Sequence, residues 1–350
     1  MFLRLYFAPP SAGQSVSQSL LQQARSVPAI TPIATMTAGK PTTKEWVQSL
    51  MEPGQLLLWA MGNYIKVNIE TVFLKGQILA PLLQSGRLRD EAFSRFWIKF
   101  STNRESNINN KNDTPAPPAA PQLPKQIQCS SDLIPAILAH ASGTVLDVGP
   151  GTGTQMPLLR SPEITSIYGA EPCLGLHTEL CARAASEGLA HKYHILPCSV
   201  EASDLIPALE KEGLLSDTNA HLTARAIPDE GVFDTILCVR VLCSVPDIQR
   251  TICDLYALLR PGGKLLVVEH VVNPWRTAKG SVVARGLQAL YGALGWSWYM
   301  GSCCLNRDTA TALKLAAQRD GGWESVELER WFESTPMPYI SGVFFKRGRA

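Results

Sequence analysis

Apolar and aromatic residues over 41–102 recur at helical spacing: Trp46, Leu50, Leu56 to Trp59, Ile65, Ile69, Phe73, Phe93, Phe96, Trp97 and Phe100. Residues three and four apart share one helix face, so this stretch reads as a small helical cap. From residue 127 the pattern changes. Short apolar runs at 144–148, 166–169, 193–196, 233–239 and 264–268 alternate with helical segments such as 174–186 and 247–259. The run at 233–239 has the character of a strand buried on both faces. Alternation of strand and helix predicts an α/β domain, with a parallel sheet covered on both sides. Two later runs, 325–331 and 340–346, have no long helix between them and are expected to pair as an antiparallel edge.

Composition then divides the chain. Residues 1–40 are rich in Ser and Gln and hold no acid, as in an organelle transit segment. Pro9, Pro10, Pro28 and Pro32 would break an amphipathic helix there, so a disordered tail is the reading preferred. Residues 103–126 are an Asn- and Pro-rich linker, and 127–350 are the main domain. Residues 214–231 read as a surface insertion. The most apolar stretch, 56–83, is interrupted by Asn63, Lys66, Asn68, Glu70, Lys75 and Gln77. It falls short of the roughly 20 apolar residues of a membrane helix.

Lys plus Arg number 32 and Asp plus Glu 30, a formal charge of +2, with no dense basic run. Nucleic-acid binding needs a clustered basic surface and is not expected. The nine cysteines form no CxxC pair and the six histidines no HExxH. Neither a disulfide scaffold nor a metal site is expected, and the cysteines read as free thiols. The adjacent Cys303 and Cys304, like Cys243, read as packing or pocket-lining residues.

The informative stretch is Val145-Leu146-Asp147-Val148-Gly149-Pro150-Gly151-Thr152-Gly153, a strand, an acid and a G-x-G-x-G turn into a helix. Glycines let the backbone turn sharply and approach a ligand, and a helix start offers free N–H groups. Dinucleotide folds use G-x-G-x-x-G, but Thr154 stands where that last glycine would fall. The tighter spacing after Asp147 fits S-adenosylmethionine better than NAD. Glu171 ends the next strand, where a carboxylate can accept both hydroxyls of a ribose.

On these residues the main domain resembles the class I S-adenosylmethionine-dependent methyltransferases, over about 128–350. Asp234 in the fourth strand and Leu259-Arg260-Pro261-Gly262-Gly263-Lys264 before the fifth also fit, the glycines being expected to end a helix in left-handed geometry. Val241-Leu242-Cys243-Ser244-Val245, Glu269-His270-Val271 and 301–309 are similar to animal alkyl-thiol S-methyltransferases. They are also similar to fungal small-molecule methyltransferases of secondary metabolism, as is the aromatic segment 93–97. The resemblance implies a Rossmann-like, seven-stranded, mostly parallel sheet with an antiparallel C-terminal edge, preceded by the helical cap. It implies that Gly149, Pro150, Gly151 and Gly153 line the methionine part of S-adenosyl-L-methionine, with Asp147 beneath and Glu171 on the ribose. Ser199 and Val200 would meet the adenine, and Val239 and Arg240 would flank the transferring methyl. Arg240 is read either as a binder of a substrate carboxylate or as a helix-surface arginine.

Methyl transfer is an in-line displacement in which the protein aligns two reactants and excludes water. A thiol or hydroxyl acceptor benefits from a base, and His270, just past the fifth strand, is the candidate. Trp296, Trp298, Tyr299 and Met300 are read as lining an apolar acceptor pocket. The expected activity is methylation of a small, largely apolar molecule on S, O or N. The alternatives are a non-catalytic S-adenosylmethionine-binding regulatory module and a nucleotide-dependent oxidoreductase, the latter disfavoured by the early Gly153 and the lack of Tyr-x-x-x-Lys. A cytoplasmic location is expected, with mitochondrial or peripheral endoplasmic-reticulum residence as alternatives. Peripheral membrane contact or a homodimer fits the aromatic cap.

Overall fold

The computed structural model describes residues 41–112, 127–215 and 230–348. The expectations for residues 1–40, for the proline-rich half of the linker and for most of the 214–231 insertion concern residues outside these. Helix α1 (Thr43–Ile69) starts at a capping box: Thr42 accepts from the Glu45 N–H, and the Glu45 carboxylate accepts from the Thr42 N–H. Its buried face carries Pro53, Leu57, Ala60 and Val67, the three-and-four spacing seen in the sequence. A π turn (Glu70–Leu74) and a short helical turn (Ala80–Leu83) lead into α2 (Ser85–Asn112). Arg95 on α2 bridges Glu70 at 2.6 Å, tying α2 to the π turn, and Glu91 of its own helix at 2.7 Å.

Helix α2 runs ten residues past position 102, to Asn112.

The main domain is one sheet of seven strands: β1 Gly143–Val148, β2 Ile164–Ala170, β3 Tyr193–Leu196, β4 Phe233–Val239, β5 Leu259–His270, β6 Ser325–Trp331 and β7 Tyr339–Phe345. Their order is β3-β2-β1-β4-β5-β7-β6, and β1 to β5 are parallel. The two late strands do pair antiparallel, but β7 inserts between β5 and β6 and is antiparallel to both. Helix α3 is His177–Ser186; Leu146, Val148, Ile236, Cys238, Leu265 and Val267 point to one face, against α4 (Ala202–Lys211) and α5 (Ile248–Leu258). Val145, Ile167, Leu237, Leu266 and Val268 are buried on the other. This two-sided burial explains the near-continuous apolar runs.

The Pro261-Gly262-Gly263 turn differs from expectation. Helix α5 ends at Leu258, and Leu259 is already extended. Gly262, at φ +77°, bends the entry of β5 rather than capping the helix. The reversal of strand order between β1 and β4 opens a crevice at the carboxyl ends of the strands.

Candidate functional site

A cavity of about 910 Å³ occupies this crevice. Gly149 and Gly151 line it from the end of β1, Glu171 from β2, Ser199 and Val200 from β3, and Arg240 and Val241 from β4. His270, at the end of β5, lines the far wall. These predicted residues therefore converge, although they span 122 positions from Gly149 to His270 by number. Asp147, Pro150, Gly153 and Val239 do not line the cavity.

The glycine turn is held by Glu171. The Gly151 N–H donates to its Oε2 at 2.8 Å and the Cys173 N–H to its Oε1 at 2.9 Å. A carboxylate has four acceptor positions, so two stay available toward the cavity. Burial raises the Glu171 carboxyl above its ordinary value, and the two backbone donors oppose that rise. Gly149 and Gly151 have φ of +59° and +63°. Asp147 is wholly buried below the turn and accepts from the Tyr193 hydroxyl at 2.8 Å. Desolvation pushes its carboxyl up to about 6 despite that bond. Gly169 makes room for the Tyr193 ring, because a Cβ there would lie 2.6 Å from the hydroxyl.

Ser199 donates to Asp204 Oδ2 at 2.7 Å and accepts from the Glu201 N–H, which leaves one lone pair. Arg240 is not on a helix surface. It sits at φ +58° in the turn after β4, and its guanidinium donates to the Ser130 and Ser131 hydroxyls at 3.0 Å. Glu269 pins the same turn. Its Oε1 accepts from the Val241 N–H at 2.7 Å and the Leu242 N–H at 2.9 Å. That role was not legible in the sequence, because the bonds join two strands.

The acceptor end is built from the cap and the segment after the fifth strand. Trp59, Phe93, Phe96, Trp97 and Phe100 of α1 and α2 line the cavity together with Trp296 and Met300, and all seven belong to one hydrophobic cluster. Trp298 and Tyr299 do not line it; both pack edge-on against Tyr64 instead, and the Arg89 guanidinium lies over the Trp298 ring. Cys243 and Cys303 line the wall beside His270, whereas Cys304 does not. His270 Nε2 lies 3.2 Å from Cys303 Sγ, and its Nδ1 is buried with no hydrogen-bond partner. Burial lowers the imidazole pKa, but the neighbouring Cys243 and Glu269 outweigh it and the net shift is upward.

The geometry fits a sulfonium nucleoside: a buried carboxylate with spare acceptors, a glycine turn and a β3 terminus share one crevice. Comparison with known proteins agrees. Among curated proteins, the chain is 31% identical over 101 residues to human thiol S-methyltransferase TMT1B, covering 29% of this chain and 37% of that protein. It is 28% identical over 158 residues to phosphatidylethanolamine N-methyltransferase of Cereibacter sphaeroides, covering 44% and 63%. The matches thus span less than two thirds of either relative. Among solved structures, an O-methyltransferase family protein from Burkholderia thailandensis is similar at a TM-score of 0.47 and 13% identity, over 89% of this chain and 76% of that one. Residues 122–327 match the model of the methyltransferase domain, and the chain belongs to that family.

Proposed function

We propose that the protein transfers a methyl group from S-adenosylmethionine to a small, largely apolar acceptor through sulfur, oxygen or nitrogen. The observation that carries this is one continuous cavity with Gly151 and Glu171 at one end and an aromatic chamber beside His270 at the other. A regulatory module would need only the first end, so the intact acceptor chamber favours catalysis. The human relative's name makes thiols the first acceptors to try. The resemblance to fungal enzymes supports a place in secondary metabolism.

In this reading Glu171 holds the ribose hydroxyls, Gly149 and Gly151 the methionine part, and Ser199 and Val200 the adenine edge. Asp147, Pro150 and Gly153 shape the turn from outside the cavity, and Val239 ends the strand that carries Arg240. When bound, the cofactor supplies an electrophilic methyl on a sulfonium. The cap excludes water and sets the acceptor in line. His270 sits where the acceptor proton leaves, and its ring is already engaged with Cys303, so it acts together with the thiols around it. Residues 41–112 and the main domain work as one catalytic unit in this scheme. Calorimetry with S-adenosylmethionine, S-adenosylhomocysteine and NADH tests the cofactor end, and NADH binding alone overturns the reading. A labelled-methyl screen of thiols, phenols and amines tests the acceptor end.

We also propose that the cap rests on a lipid surface. Among the described residues no helix is long and apolar enough to cross a membrane. Yet Phe73, Leu74, Leu82 and Leu83 are each at least 77% exposed, and Ile78 and Leu79 lie beside them. Such a contiguous apolar patch is uncommon on a protein that stays in water. Lys66, Lys75 and Arg87 stand in the same part of the chain, in loose ion pairs with Glu70 and Glu91 at 3.8–3.9 Å that anionic headgroups could replace. The segment that carries the patch joins α1 to α2, and aromatic residues of those two helices line the acceptor chamber.

A further inference from the structure

We propose that Cys243, His270 and Cys303 form a binding site for a soft divalent cation of the zinc class, with a fourth coordination position facing the acceptor chamber. This rests on the methyltransferase reading and adds to it a thiol as the acceptor, with His270 holding the cation in place of taking the acceptor's proton. The three residues come from separate segments: the turn after β4, the last position of β5 and the loop after the short helix Trp296–Tyr299. Their donor atoms lie within 4.8 Å of one another, and all three residues are buried. Zinc bonds of about 2.3 Å to sulfur and about 2.0 Å to nitrogen separate tetrahedral donors by roughly 3.5 Å or slightly more. The 3.2 Å between His270 Nε2 and Cys303 Sγ is already close to that separation.

Three further observations bear on the site. The Trp296 indole N–H donates to Cys303 Sγ at 3.3 Å, the kind of outer contact that orients a thiolate ligand. The loop is stitched to the turn: Cys304 N–H donates to Cys243 O at 2.9 Å, and Arg307 Nη1 to Leu242 O at 3.1 Å. Arg240 and Ser302, both non-glycine residues in left-handed backbone at φ +58° and +65°, stand in the segments that carry the two cysteines. Strain of this kind persists where the surroundings over-determine it, as at binding sites.

The charges balance. Loading would release two thiol protons to solvent, and two thiolates with a neutral imidazole cancel the dication's charge, so the loaded cluster can stay buried. Three protein donors leave one tetrahedral position, as in catalytic zinc sites. All three residues line the cavity, the side from which an acceptor would come. A thiol entering the open position would release its proton to solvent and present its sulfur to the methyl, the new S–CH3 bond forming as the sulfonium S–CH3 bond breaks to leave S-adenosylhomocysteine.

The test is metal content of the full chain, purified reduced and desalted, by elemental mass spectrometry. The expected result is about one zinc per chain. Stripping with a chelator and reloading with Co²⁺ should give tetrahedral ligand-field bands and sulfur-to-cobalt charge transfer, a readout that needs no variant. Cys243→Ser and Cys303→Ser should abolish both signals, and Trp296→Phe should weaken metal affinity by about tenfold. Background metal in the reduced chain overturns the proposal, as does a cobalt spectrum unchanged by either serine variant. A Cys243–Cys303 disulfide in the freshly purified chain overturns it too. S-adenosylhomocysteine binding measured alongside separates the two readings: binding without zinc removes the metal site alone, and zinc without binding removes the methyltransferase reading.

Discussion

The indole Nε1 of Trp97 lies 2.7 Å from where a Cβ on Gly151 would stand. The same helix places Phe93 against Gly301 and Ser94 against Gly175, each in space that a Cβ would fill. Three main-domain glycines thus receive three side chains of α2. The glycine turn read as a ligand cradle is also the socket on which the cap closes.

Gly151→Ala should destabilise the chain by about 1–2 kcal/mol from its left-handed backbone, plus the clash with Trp97. Trp97→Ala in the same chain should remove the second part only. Urea denaturation of both single variants and the double variant measures this. Additive effects would show that the two residues do not press on each other.

Glu171→Gln keeps one carbonyl oxygen, which can serve the Gly151 or the Cys173 N–H but not both. Losing a charge-assisted bond costs about 1.5–3 kcal/mol, or roughly 10- to 100-fold in affinity. Calorimetry with S-adenosylhomocysteine should show a loss in that range. An unchanged affinity would remove Glu171 from the cofactor site.

Asp147 has its carboxyl raised by burial to about 6. In the unfolded chain it titrates near its ordinary value, so the folded state holds the extra proton between the two. Its contribution to stability is fully present below about pH 4 and is lost as pH rises through about 6, on the order of 3 kcal/mol in all. Asp147→Asn still accepts from Tyr193 and does not titrate. Its melting temperature should fall less than the wild type's between about pH 4 and pH 7. Parallel curves would mean that Asp147 is charged throughout.

His270→Ala should slow methyl transfer by about 100-fold or more, as expected for loss of a group that handles a proton or orients its acceptor. S-adenosylhomocysteine affinity should hardly change, because His270 faces the chamber beyond the glycine turn. Weakened cofactor binding with unchanged turnover would move His270 to the other end of the cavity.

Leu82 and Leu83 on the exposed tip each offer about 1.5–3 kcal/mol when fully buried in an apolar phase. Replacing both by aspartate should reduce co-sedimentation with anionic phospholipid vesicles by at least about tenfold. Transfer to a water-soluble acceptor should persist. Sedimentation equal to wild type, or a monomer–dimer shift without any vesicle binding, would assign the patch to another surface.

The chain's sequence alone determined the strand–helix alternation, the glycine turn with Asp147 ahead of it, and Glu171 at the end of the next strand. Those features are local: side-chain period and glycine's backbone freedom act within a few residues. The bounds of β3, β4 and β6 follow the apolar runs residue for residue. Other features were settled only in three dimensions. The insertion of β7 between β5 and β6, the Tyr193–Asp147 bond, the Glu269 clamp and the meeting of Cys243, His270 and Cys303 all join distant segments. No spacing rule encodes such meetings, since packing of the whole sheet, rather than neighbouring residues, brings the groups together. The cap shows both sides: its helices were legible from period, whereas their seat on Gly151, Gly175 and Gly301 depended on which faces the folded domain left open.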